Sequence, residues 1–166
     1  MAWYKSFGWD GRYTKLEDII TAQITNPIQM GETPESIVNK LKATGNYPSL
    51  FQKAYNQDIN VQNLLNALVQ FTVSMVSAST KYDSVKQTLL SFTAAEQAGY
   101  VLFQSKCNTC HTEPLFTDGS YRNNGLAVKP ALNDLGRMSF TGSRNDSLKF
   151  RVPTLRNLYK SFPFMH

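Results

Sequence analysis

Apolar residues recur at helical spacing over the first two thirds of this chain, and the last third keeps neither that period nor the alternation of a strand. Leu16, Ile19 and Ile20 predict a short helix over about 15–23. Pro27 and Gly31 punctuate a loop, after which Thr33-Pro34-Glu35 supplies an N-cap, a proline at the first helical position and an early acid. Ile37, Val38 and Leu41 stripe the helix that follows, and Gly45 stands where it should stop. A third helix is expected from near Pro48 to Tyr55. The longest should run from Val61 to about Ala78, with Leu64, Leu65, Leu68, Phe71 and Met75 along a core-facing side. Residues 81–91 lack a clear period and read as a connection. Thr93-Ala94-Ala95-Glu96 then matches a capping box, and Ala98, Val101, Leu102 and Phe103 carry that helix to Cys107. From Thr112 onward Gly119, Gly125, Gly136 and Gly142 interrupt short polar runs. Chain this irregular needs something besides secondary structure to order it, and a large bound cofactor would do so. The expected fold class is mainly α.

Length and charge narrow the partners. The 166 residues allow one medium domain or two small ones, and 42% apolar content is enough for a real core. No run approaches the roughly 20 apolar residues that span a bilayer, and MAWYKSFGWDG lacks the apolar segment of a secretory signal. Either the chain is cytoplasmic or its true N-terminus lies upstream. Of the formal charge of +5, none comes from residues 1–100, which hold eight basic and eight acidic residues; residues 101–166 hold nine basic against four acidic. A nucleic-acid patch would cluster its arginines, and these are dispersed. A dianionic group with two propionates, each wanting an Arg partner, accounts for the excess at least as well. Neither nucleic acid nor a membrane span is expected.

The two cysteines of the chain lie three apart and are followed at once by one of its two histidines, as Cys107-Asn108-Thr109-Cys110-His111. This C-x-x-C-H spacing suits covalent haem c: one turn places both thiols along a porphyrin edge, and the next residue faces the iron. Three other readings stand beside it. Structural zinc needs about four ligands and the sequence offers no second Cys pair. A thioredoxin-like redox pair expects a strand before the motif, where a capped helix is predicted. Two buried thiols beside a chance His is the plainest alternative. Haem c with His111 as axial ligand is the preferred assignment.

Around that motif the chain resembles the dihaem cytochrome c peroxidase family, which includes the MauG-type enzymes. The resemblance runs through Gly8-Trp9-Asp10-Gly11-Arg12, Asn26-Pro27-Ile28-Gln29-Met30-Gly31, CNTCH, Asn124-Gly125-Leu126, Asp134-Leu135-Gly136-Arg137, Phe150-Arg151-Val152-Pro153-Thr154-Leu155-Arg156-Asn157 and Pro163-Phe164-Met165-His166. It implies cytochrome c-like helical domains with long irregular loops around haem. Members join two such domains, each with its own C-x-x-C-H, and a Trp lies between the haems. By this resemblance residues 1–88 are the remainder of an N-terminal domain whose haem motif lies upstream. Residues 89–166 are then a truncated C-terminal domain carrying the electron-transfer haem. One haem c is implied in this chain and two in the parent, together with a calcium ion in the parent held partly by backbone oxygens matching Ser161 and Pro163. Trp9 matches the inter-haem Trp, packing being its plainer role.

Gln29 falls where the family's N-P-x-E-M-G block carries a glutamate for acid/base work, and a carboxamide cannot exchange a proton there. Gln23 and Glu32 are the nearby alternatives. Arg137, Arg151 and Arg156 are the candidate partners of the haem propionates. The family's sixth ligand is a Met downstream of the block ending in His166. Inside the sequence Met165, and after it Met138, are the candidates, with core packing the weightier role for both. The implied function is electron transfer within a peroxidase-type oxidoreductase that reduces hydrogen peroxide with electrons from a small donor of cytochrome c or cupredoxin type. A homodimer and a periplasmic or otherwise exported location complete the expectation. A simple electron-transfer cytochrome c and a MauG-like enzyme acting on a protein substrate are the alternatives.

Overall fold

A computed structural model describes residues 3–160. Its contacts divide the chain into one compact unit up to Met75 and a second from Val76 onward.

Four helices build the first unit: α1 (Leu16–Thr25), α2 (Pro34–Lys42), α3 (Tyr47–Tyr55) and α4 (Val61–Ser74). Side chains satisfy free amides at the starts of α2 and α4, whereas α1 and α3 begin without a side-chain cap. Thr33 accepts from Ser36 N at 3.1 Å with Pro34 at the first helical position of α2, and Asn60 and Asn63 cap α4 reciprocally. Val38, Phe51, Ile59 and Leu64 close the core, with Ile37, Leu41 and Leu68 packed on it. Helix α4 stops at Ser74, short of the expected Ala78. Its stripe does not stay buried either: Leu64 is in the core, whereas Phe71 and Met75 are exposed. The apolar period continues past the point where α4 has neighbours to cover it.

The second unit holds α5 (Lys81–Lys86), α6 (Ala94–Lys106) and α7 (Met138–Thr141), with two short 3-10 turns. A two-stranded antiparallel ladder, β1 (Tyr121–Arg122) with β2 (Phe150–Arg151), pairs Tyr121 with Arg151 and Arg122 with Phe150. Helix α5 replaces the connection expected over 81–91. A second capping box starts it, in which Thr80 Oγ1 faces Asp83 N while the Asp83 carboxylate accepts from Thr80 N at 2.9 Å. Helix α6 begins at the predicted Thr93/Glu96 box and ends with Cys107 as its C-cap. Residues 76–88 pack with the second unit because Tyr82 and Asp83 bond to Glu113 and Arg156. Among the described residues no helix is long and apolar enough to cross a membrane.

Gly136 shows why one loop motif is built as it is. Its φ is +60°, and a Cβ there would lie 2.6 Å from the Lys149 carbonyl oxygen. Asp134 Oδ1 accepts from Gly136 N at 2.8 Å, and Arg137 N donates to that Lys149 oxygen at 2.8 Å. The Asp-Leu-Gly-Arg block is thus a turn whose glycine lets two backbones touch.

Candidate haem site

The end of α6 winds directly into the Cys-His motif. Cys110 N and His111 N both donate to the Cys107 carbonyl, at 3.2 and 2.9 Å, so the two thiols and the imidazole leave one tight turn. Asp118 N closes on Cys110 O at 2.8 Å from the other side. Both thiols are free, Cys107 exposed and Cys110 half-buried. Among the described residues no strand precedes them, so the redox-pair reading loses its context. Among the described residues no group of three or more His, Cys, Asp or Glu gathers to hold a metal ion.

The His111 ring is held from one side. Its Nδ1 lies 3.1 Å from Pro153 O and 3.2 Å from Phe116 O. Two carbonyls at one ring nitrogen require the proton there, because a carbonyl can only accept; Nε2 then carries the lone pair. That is the tautomer an axial ligand needs, with the backbone partner that fixes such rings.

Those carbonyls come from two segments tied to each other. Thr117 Oγ1 donates to Val152 O at 2.6 Å, Thr154 Oγ1 to Leu115 O at 2.5 Å, and Leu155 N to Phe116 O at 3.3 Å. Val152 and Thr117 are buried. Phe116 is held at φ +55°, a conformation a bulky residue keeps only when its surroundings over-determine it. The Phe-Arg-Val-Pro-Thr-Leu-Arg-Asn block therefore lays the Pro153 carbonyl against the ring and ties down the segment that supplies Phe116 O.

The three candidate arginines have different surroundings. Arg156 Nε donates to Pro114 O at 2.9 Å, Nη1 to Ser77 O at 2.8 Å and Asp83 Oδ2 at 3.0 Å, and Nη2 to Asp83 Oδ1 at 2.8 Å. Four of its five N–H groups are thus engaged by protein acceptors. The Arg156 hydrogen bonds, helped by Thr80, hold the Asp83 carboxyl well below the usual carboxylate range. Arg137 stacks over the Tyr121 ring, 4.3 Å from its centroid, with Nε 3.9 Å from Asp146. Arg151 lies half-buried on β2.

A neighbouring cluster went unread in the sequence. Tyr82 and Tyr100 both donate to Glu113, at 2.6 and 2.9 Å, and Lys86 and Gln104 donate to the Tyr100 oxygen at 3.0 and 2.9 Å. Burial first, then the Glu113 hydrogen bond, push the Tyr82 phenol above its ordinary value. Phe116 meets the Tyr82 ring edge-on at 4.8 Å and Phe103 at 5.2 Å. Thr80-Lys81-Tyr82-Asp83 carries the T-x-x-D capping pattern, the signal by which α5 and Asp83 were findable.

In the first unit, Phe7 and Tyr13 bridge antiparallel, and Arg12 Nε donates to the buried Asp10 at 2.6 Å. Trp9, at the tip of this turn, is 62% exposed and has no place in the core. Gln29 is exposed on a loop folded on Asn26, whose carbonyl accepts from Gln29 N and Gly31 N. Glu32 pairs with Lys40, which with Ser36 holds its carboxyl below the ordinary value, a poor setting for a proton carrier. Gln23 is an exposed residue of α1. Met138 opens α7 and is half-buried. Met165, His166, Ser161 and Pro163 lie outside the described residues.

Comparison with known proteins gives the family of this chain. MauG of Methylorubrum extorquens is 34% identical over all of this chain and 48% of its own length. The cytochrome c551 peroxidase of Nitrosomonas europaea is 31% identical over 95% of this chain and 49% of its own length. This chain thus spans about half the length of the curated relatives it matches. A solved MauG-like protein associated with microbial copper homeostasis superposes with a TM-score of 0.89 at 26% identity, over 99% of this chain and 55% of that one. The diheme peroxidase BthA of Burkholderia thailandensis shares the fold, with a TM-score of 0.75 at 21% identity over 97% of this chain and 48% of its own. The fold is the helical cytochrome c type of these proteins. The family model described as di-haem cytochrome c peroxidase matches residues 1–89, and the chain belongs to that family.

Proposed function

We propose that this chain is the haem c-binding, electron-transfer part of a di-haem peroxidase that reduces hydrogen peroxide with electrons from a small redox protein. The observation that carries the reading is the His111 ring, oriented by two backbone carbonyls on the same turn as two free thiols. Cys107 and Cys110 would form the thioether links and His111 Nε2 would bind the iron. Bound there, the haem supplies one-electron redox chemistry. The protein's part is to hold the ring, to keep its Nδ1–H donating to backbone oxygen, and to place cations near the propionates. Arg137 and Arg151 are the remaining candidates for that last task, Arg156 being largely held by protein acceptors.

Trp9 is the candidate inter-haem residue, its exposure leaving it available to a partner group. With Gln29 in the family's glutamate position, proton transfer at peroxide would fall to another group of the whole protein. The carboxamide, with the 34% identity to MauG, supports a second reading as a MauG-like enzyme acting on a protein substrate. The parent would be exported, since haem c is attached outside the cytoplasm. A cytochrome c or cupredoxin donor, a homodimer, and a calcium ion in the parent belong to the same proposal.

Expression in an exporting host with haem-maturation machinery tests it. The chain should keep its haem through acid–acetone extraction. A Cys107→Ala/Cys110→Ala variant with undiminished covalent haem would overturn the assignment.

A further inference from the structure

The two segments that bring carbonyls to His111 meet at a single guanidinium. Arg156 follows Pro153 on one segment, and its Nε holds the Pro114 carbonyl on the other, two residues before Phe116. Through Nη1 and Nη2 the same group is bolted to Ser77 O and, bidentately, to Asp83. Arg156 and Asp83 are only 14% and 12% exposed in their side chains, so the pair is poorly screened by water. The Arg156 guanidinium also lies 5.4 Å from the Phe116 ring centroid and 5.7 Å from that of Tyr82. Asp83 thus reaches the ligand's environment from a helix more than twenty residues upstream of the motif.

We propose that Arg156 and Asp83 are positioning residues for the axial histidine, locking the 114–116 and 153–156 segments so that both carbonyls stay on His111 Nδ1. The inference rests on the reading of His111 as the haem ligand. A carbonyl accepting from Nδ1 raises the basicity of Nε2, and a more basic ligand favours ferric iron. Loosening the lock should therefore weaken the iron–histidine bond and raise the midpoint potential. A bidentate fork cannot be reproduced by an ammonium, so Arg156→Lys should act although it conserves charge. Removing the carboxylate charge should act in the same direction.

The test uses the haem-loaded full chain and the variants Arg156→Lys and Asp83→Asn, with Lys81→Gln as control. Lys81 belongs to another short ion pair of the same unit, with Glu96 at 2.5 Å against 2.8 Å for Arg156–Asp83, whose partners lie outside both carbonyl segments. Resonance Raman of the ferrous state reads the iron–histidine stretch, and spectroelectrochemistry reads the potential. Expected are a lower stretching frequency and a higher potential in Arg156→Lys and Asp83→Asn, and wild-type values for Lys81→Gln. Unchanged stretch and potential in either of the first two, or an equal shift in the control, overturns the positioning role while leaving the haem assignment intact. A wild-type chain without covalent haem overturns both. Should Arg156→Lys fail to fold, Asp83→Asn alone decides.

Discussion

At the scale of single residues, the Cys107–His111 turn was legible because its residues are local: three side chains within five positions, on a turn that one helix end enforces. The lock behind His111 was not, because Asp83 and Arg156 are far apart in sequence and neither belongs to a periodic pattern. The sequence shows the charge of Arg156 but not its fork on Asp83, Ser77 and Pro114. The Asp83 carboxyl makes a pH prediction. Its folded pKa lies below the unfolded value of about 3.9, so its contribution is complete above that value and is lost as pH falls through the folded one. Unfolding by urea, followed at the haem band, should show wild-type stability dropping between pH 5 and pH 2 more steeply than that of Asp83→Asn. Parallel curves would mean that the Arg156 contact contributes nothing to the fold. Gly136→Ala should cost about 1–3 kcal/mol by the same measurement, since φ of +60° and the Lys149 oxygen at 2.6 Å both oppose a methyl. A cost of a few tenths would show that the loop relaxes freely.

At the scale of elements, helix starts were read better than helix ends. Starts are written in side chains that accept backbone protons, such as Thr33, Thr93 and, unnoticed, Thr80. Ends depend on what the helix leaves behind, which is why α4 stops at Ser74 while its apolar period continues through Met75. In α5 one carboxylate has two duties, since Asp83 caps the helix and also holds Arg156. Substitution of the partner separates them. Thr80→Ala removes the cap side chain and should lower stability by about 1 kcal/mol, yet leave the iron–histidine stretch at its wild-type frequency. Thermal melts and Raman spectra of the same sample check both halves. A shifted stretch in Thr80→Ala would show that helix docking, rather than the fork itself, governs the ligand.

At the scale of the whole molecule, the two units differ in how they are held together. The first has a core of aliphatic and aromatic side chains, with Ile59 only 2% exposed. Among the described residues of the second, Val152 is the one large apolar side chain counted as buried, α6 buries none of its residues, and Val101, Leu102, Leu126 and Leu132 are each more than half exposed. Burying a side chain of that size contributes about 1.5–3 kcal/mol, so a unit with so few buried ones needs another source of order. A porphyrin tethered at the end of α6, as proposed, would be a large apolar surface, and anything bound only to the folded form stabilises that form. Haem removal should therefore act unequally. In the Cys107→Ala/Cys110→Ala chain, hydrogen exchange should stay slow in α2, α3 and α4, close to that of the haem-loaded protein. Amides of α6 and of residues 110–118 and 150–156 should lose protection by at least about tenfold, a change of about 1.4 kcal/mol in local opening. The complementary variant Leu64→Ala, costing about 2–5 kcal/mol in the first core, should do the reverse, raising exchange in α2–α4 while covalent haem is retained. Equal loss of protection in both units on removing the thiols would mean that the chain folds as one cooperative body, and that haem supports the first unit as much as the second.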